Sequence, residues 1–144
     1  MNNNDNNDSN DNNDRNDNND NNDNNDNSIY TIVNYNNINN NLKTTSDLQL
    51  FSNNNNNKLI VLYFTASWCG PCETIKDFVF EQVANYTNSY FSIIDVDNED
   101  YQDLCDDFSV NAMPTFIFYK TSTELDKVIG ADKDKIQKLL LTHN

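Results

Sequence analysis

The sequence predicts an α/β domain in which a central mixed β-sheet carries helices on both faces. Three observations lead there. Residues 59–65 and 90–95 are mostly apolar runs bounded by polar residues, the pattern of strands buried on both faces. Each is followed by a segment whose apolar residues step by three and four, the spacing of an amphipathic helix. Residues 115–119 and 127–129 add two β-prone runs close together, as an antiparallel pair would be. Strands alternating with helices and ending in a hairpin make the sheet mixed.

The first 28 of the 144 residues stand apart. Asp5, Asp8, Asp11, Asp14, Asp17, Asp20, Asp23 and Asp26 recur every third position among asparagines, a repeat broken by Ser9 and Arg15. Nothing apolar interrupts it to offset the entropy of ordering, so residues 1–28 are expected to be a disordered Asn/Asp-rich low-complexity tail. The period of three does not fit an EF-hand, which needs a glycine and a closing Glu. Residues 29–144 are then one domain of ordinary size. Eight Asp and one Arg give the tail a charge of −7, and the remaining 15 acidic and 8 basic residues give the domain −7 as well. Such a chain is repelled by nucleic acid and by anionic membrane surfaces. No stretch is apolar for the length of a bilayer, and the N-terminus lacks the basic and apolar regions of a secretory signal. The expected location is cytoplasmic, where structural disulfides are rare.

Within the domain, residues 29–33 form a short β-prone run, and Ser46 is expected to cap a short helix carrying Leu48, Leu50 and Phe51. Residues 34–41 and 53–57 read as small asparagine expansions placed in loops. Residues 59–65 form the first buried strand. Residues 71–86 form a helix with Ile75, Phe78, Val79, Gln82 and Val83 on its core face. Residues 90–95 are a second buried strand. Residues 99–108 are a second amphipathic helix with Tyr101, Leu104, Cys105 and Phe108 on one side. The strands at 115–119 and 127–129 are joined through residues 120–126, a hairpin without the usual glycine. A helix over 133–141 turns Ile136, Leu139 and Leu140 inward. The order is β-α-β-α-β-α-β-β-α.

Between the first buried strand and its helix lie Trp68-Cys69-Gly70-Pro71-Cys72. The chain has only two glycines and two prolines, and one of each separates these cysteines. Cys69 falls at the helix N-terminus, where unpaired amides stabilise a thiolate. Cys72 lies one turn on, on the same side, so the two can close a small disulfide that adds little stability and opens readily. Pro71 suits the first helical turn because its missing N–H has no partner there anyway. Gly70 leaves the approach to Cys69 open, and Trp68 is expected to cover one side and limit water. The chemistry implied is dithiol exchange: Cys69 as nucleophile forms a mixed disulfide, which Cys72 resolves. A zinc site would need a second ligand pair, and only Cys105 and His143 remain, neither in one, so no metal is expected. Cys105, on an apolar helix face, reads as a small buried hydrophobe. His143 is expected in a fraying C-terminus without a catalytic part.

These residues resemble the thioredoxin family. Trp68-Cys69-Gly70-Pro71-Cys72 matches its active-site motif as it stands, where protein disulfide isomerases carry His and glutaredoxins Tyr at the place of Pro71. Asp95-Val96-Asp97 is similar to its third-strand ending, Ala112-Met113-Pro114-Thr115 to its cis-proline loop, and Val128-Ile129-Gly130-Ala131 to its last strand and glycine. The resemblance runs over residues 59–141 and is weaker over 29–58. It implies a thioredoxin fold, protein-disulfide reductase activity, no bound cofactor, and electrons from NADPH through a thioredoxin reductase. Protein disulfides and that reductase are the implied partners, and a monomer is expected. The resemblance also implies a cis Met113–Pro114 bond against Cys69, with the Met113 backbone pairing with substrate.

Departures from the family pattern are local. Tyr63 stands where the family buries an Asp thought to relay a proton to the second cysteine, and Ile93 stands at the position of its Lys partner. A phenol, with an ordinary pKa near 10, is a poor base at neutral pH, so Cys72 is expected to be activated less than usual. Glu73 replaces the usual basic residue, and Asp77 replaces a kink-forming proline, which predicts a straighter helix. Two further readings stay open from residues alone. One is a thioredoxin-fold binding or adaptor protein with weak or no general reductase activity; the other is a redox partner dedicated to one client.

Overall fold

Residues 35–144 are described by the structure, a computed structural model; the expected tail at 1–28 and the expected strand at 29–33 lie outside the described residues. The apolar run emerges as β1 (Ile60–Thr65), and its alternation explains why it is apolar throughout. Ile60, Leu62 and Phe64 point into one core cluster, with Leu48, Ile94, Leu104, Phe108 and Ile117. Val61 and Tyr63 point into the other, with Ile75, Val79, Phe91, Phe116, Ile136 and Leu140. Helices cover both faces: α1 (Thr45–Asn54) and α3 (Gln102–Asp107) contribute to the first cluster, α2 (Gly70–Asn85) and α4 (Lys133–His143) to the second. Each fully buried Leu, Ile or Phe of this double core contributes about 1.5–3 kcal/mol.

The sheet order is β2-β1-β3-β4, with β2 (Tyr90–Asp95), β3 (Thr115–Lys120) and β4 (Thr123–Ile129). β1 pairs parallel with β2, setting Tyr63 beside Ile93, and antiparallel with β3, setting Tyr63 beside Phe116. β3 and β4 pair antiparallel with a register irregularity at Phe118 and Tyr119. The sheet is mixed, as expected.

Several local expectations are corrected. The first helix is capped by Thr44, not Ser46: the Thr44 hydroxyl accepts from Asp47 N–H, and Asp47 reaches back to the Thr44 N–H. That reciprocal pair satisfies two orphan donors, which Ser46, one position inside the helix, cannot. Leu50 stays exposed on this helix while Leu48 is fully buried. The helix expected over 99–108 begins as a 3₁₀ turn, Glu99–Tyr101, before α3, and its four apolar residues are buried as expected. The hairpin turn is only Thr121 and Ser122, at φ of 55° and 58°, so β4 starts four residues earlier than residue 127. Both central residues lie in the left-handed region that a two-residue turn between twisted strands demands. α2 runs unbroken through Asp77.

Within the asparagine run at 34–41, residues 37–39 are not a free loop. Asn39 N–H donates to Phe91 O and Phe91 N–H to Asn37 O, both at 2.8 Å, so this segment is stitched to the open edge of β2. Buried Asn37 donates through Nδ2 to the carbonyls of Val83, Tyr86 and Ser89, closing the C-terminal end of α2. The C-terminus is not frayed either. α4 continues to His143, whose Nε2 lies 2.8 Å from Asp126 Oδ2 and whose carbonyl accepts from Lys120 Nζ. No helix among the described residues is long and apolar enough to cross a membrane.

Candidate active site

The strand–helix junction builds the site. β1 ends at Thr65, Cys69 N–H donates to Ala66 O across a tight turn, and α2 starts at Gly70. Cys69 is the N-cap residue of α2, and its Sγ accepts from the Cys72 N–H at 3.2 Å. Sulfur therefore occupies the place where a capping oxygen normally stands, facing the positive end of a 16-residue helix. Cys69 and Cys72 are joined in a disulfide with their Cα atoms 5.2 Å apart. Pro71 sits in the first turn, and a Cβ on Gly70 would meet nothing within 4 Å, so the approach there is open.

The pair packs against Ala66, Val96 and Met113. Met113 precedes Pro114 through a cis peptide bond, and the loop is fastened by Gly130 N–H donating to Pro114 O at 2.8 Å. Met113 thus lies beside the disulfide at the start of β3. The Trp68 indole, expected to cover one side of the site, is largely open to solvent on its own outer face. It remains 65 % exposed and is tethered at the rim, its Nε1–H donating to Asp97 Oδ2 at 2.8 Å. Asp97 was visible in the sequence only as part of a strand ending; an exposed indole N–H needing an acceptor was the one signal that could have linked it to Trp68.

Beneath the pair, on the α2 and α4 face of the sheet, lies Tyr63. Its ring stacks on Phe116 with centroids 4.8 Å apart and planes 6° from parallel. Its hydroxyl donates weakly, at 3.4 Å, to the Cys72 carbonyl. Burial pushes the phenol above its ordinary value; the Thr65 side chain opposes this and the Glu73 charge adds to it. Tyr63 is therefore neutral across the working range. Cys105 is a buried free thiol, pushed up chiefly by burial and further by Asp106, which fits an inert core residue. Among the described residues no cluster of three His, Cys, Asp or Glu side chains could hold a metal.

The family model for thioredoxin matches residues 41–142. The chain belongs to the thioredoxin family. It is 46 % identical over 90 residues to Thioredoxin H5 of Arabidopsis thaliana, covering 62 % of this chain and 75 % of that protein. It is 40 % identical over 102 residues to a thioredoxin of Ophiophagus hannah, covering 69 % of this chain and 95 % of the other. The X-ray structure of Fasciola hepatica thioredoxin superposes with a TM-score of 0.65 at 36 % identity, covering 72 % of this chain and 97 % of that one. With the cysteine pair placed as in such proteins, the chain is a thiol–disulfide oxidoreductase. The thioredoxin fold brings Cys69, Cys72, Met113 and Pro114 to one end of the sheet, with Trp68 at the rim and Tyr63 below.

Proposed function

We propose that this protein is a general protein-disulfide reductase of the cytoplasm, acting as a monomer and recharged from NADPH by a thioredoxin reductase. Cys69 is the nucleophile. As a thiolate it attacks one sulfur of a substrate disulfide, forms a mixed disulfide and releases the other substrate sulfur as a thiolate. Cys72 then attacks Cys69, forming the Cys69–Cys72 bond and freeing the second substrate thiol. Two electrons pass from the dithiol to the substrate, and the reductase restores them. Trp68, Gly70 and Pro71 shape the approach, and the Met113 backbone beside Pro114 receives the substrate strand.

The observation that carries this reading is the position of Cys69 Sγ at the N-terminus of α2, held by the Cys72 N–H. A sulfur there gains from the helix dipole when it becomes anionic. The test is NADPH consumption with a thioredoxin reductase and insulin as substrate. Wild type turns over, Cys69→Ser is silent, and Cys72→Ser accumulates the mixed disulfide; a silent wild type would overturn the reading. Sedimentation at working concentration checks the monomer.

A further inference from the structure

A cavity of about 220 Å³ opens beside Cys72, lined by residues that include Tyr63, Cys72, Glu73, Lys76, Ile93 and Asp95. It matters because Cys72 has a proton to lose. The thiol must become a thiolate before it attacks, yet Cys72 is only 3 % exposed. The phenol beneath it is held neutral and serves as a hydrogen-bond group, not as a base. The cavity is large enough for several waters at about 30 Å³ each.

The charged groups facing this space are Glu73 and Lys76 from α2 and Asp95 from the end of β2; β1 contributes only the Tyr63 and Thr65 hydroxyls. Asp95 is engaged, its Oδ1 accepting from the Asp97 N–H at 3.0 Å. Glu73 enters no ion pair among the described residues, and its charge is felt at the Tyr63 hydroxyl, which lies against the Cys72 carbonyl.

We propose that Glu73 receives the Cys72 proton through water in this cavity, making it a proton-relay residue for the resolving step. The proposal rests on the reductase reading above. In the mixed disulfide, the Cys72 thiol gives its proton along the water to the Glu73 carboxylate. The thiolate attacks Cys69 Sγ, the Cys69–Cys72 bond forms, and the bond from Cys69 to the substrate sulfur breaks. The departing thiolate takes up the proton, restoring Glu73. The dithiol loses two electrons and the substrate disulfide gains them.

Stopped-flow reduction of a protein disulfide separates attack by Cys69 from resolution by Cys72. Glu73→Gln is expected to slow resolution about tenfold at pH 7 and to leave the attack step within twofold, with Glu73→Asp restoring most of the rate. The deficit shrinks as pH rises and more of the thiol ionises without help. A purely electrostatic carboxylate predicts the opposite sign, because removing a negative charge beside a thiol favours its thiolate. Resolution that is unchanged or faster in Glu73→Gln overturns the relay. A wild type that never attacks a protein disulfide overturns the reductase reading and the relay with it.

Discussion

Tyr63 shows how one side chain can serve packing and still shape chemistry. Its ring adds a stacked pair with Phe116 to the core, a contribution of about 0.5–1.5 kcal/mol beyond the area it buries. The cost appears in alkali. Tyr63, Tyr119 and Cys105 are all pushed up, chiefly by burial, so the folded state holds their protons more tightly than the unfolded chain does. Groups raised in this way stabilise fully below their unfolded values and lose that contribution as pH rises through the folded ones. Denaturant melts should therefore be flat from neutrality to about pH 8.5 and fall beyond it. Tyr63→Phe keeps the stack and should flatten part of the fall above pH 10, with a change of about 1 kcal/mol or less at pH 7; an identical alkaline slope in the variant would refute the assignment. At this scale the sequence was legible where chemistry is local. The cysteine pair announces itself within five residues. The tie between Trp68 and Asp97 does not, because it joins positions 29 apart through the end of β2.

Among the elements, those that fill both faces of the sheet could be read from composition. β1 has no polar face to show because α1 and α3 cover one side and α2 and α4 the other. Ends and turns were harder. Thr44 and Ser46 both have the chemistry of a cap, and each has a side-chain acceptor three residues on, Asp47 and Gln49, so the sequence leaves the choice open and the structure makes it with Thr44 and Asp47. The β3–β4 turn was obscured because Thr121 and Ser122 adopt left-handed conformations that sequence readers assign to Asn-Gly. An L-residue with a Cβ loses about 1–2 kcal/mol there. Replacing both, Thr121→Asn with Ser122→Gly, should raise stability by about 1 kcal/mol and the melting temperature by about 4 °C. A lower melting temperature would mean that the Ser122 hydroxyl, 3.3 Å from Asn53 Oδ1, matters more than the backbone.

For the whole molecule, a net charge of −14 sets the terms of every encounter. The second-order rate with an acidic protein disulfide should rise severalfold as salt shortens the screening length from about 30 Å to about 8 Å, and that with a basic one should fall. Equal salt responses for the two substrates would show that local fit alone governs selection. The asparagines illustrate the limit of composition at this scale. Runs at 34–41 and 53–57 look alike on paper, yet around Asn37 the first closes a helix and a sheet edge, while the second is not all loop as expected: Asn53 and Asn54 complete α1, and only Asn56 and Asn57 turn left-handed. They therefore differ in tolerance to drift in repeat length. One extra Asn between Asn56 and Asn57 lengthens a surface connection and should cost under about 1 kcal/mol. The same insertion between Asn37 and Ile38 forces a choice between the three hydrogen bonds of the Asn37 side chain, two of them buried, and the pairing with β2, and should cost about 1–3 kcal/mol or more. Thermal melts of the two insertions would measure the difference. Among the described residues, an asparagine run can lengthen where it only turns the chain, but not where a register such as that around Asn37 must be inherited unchanged.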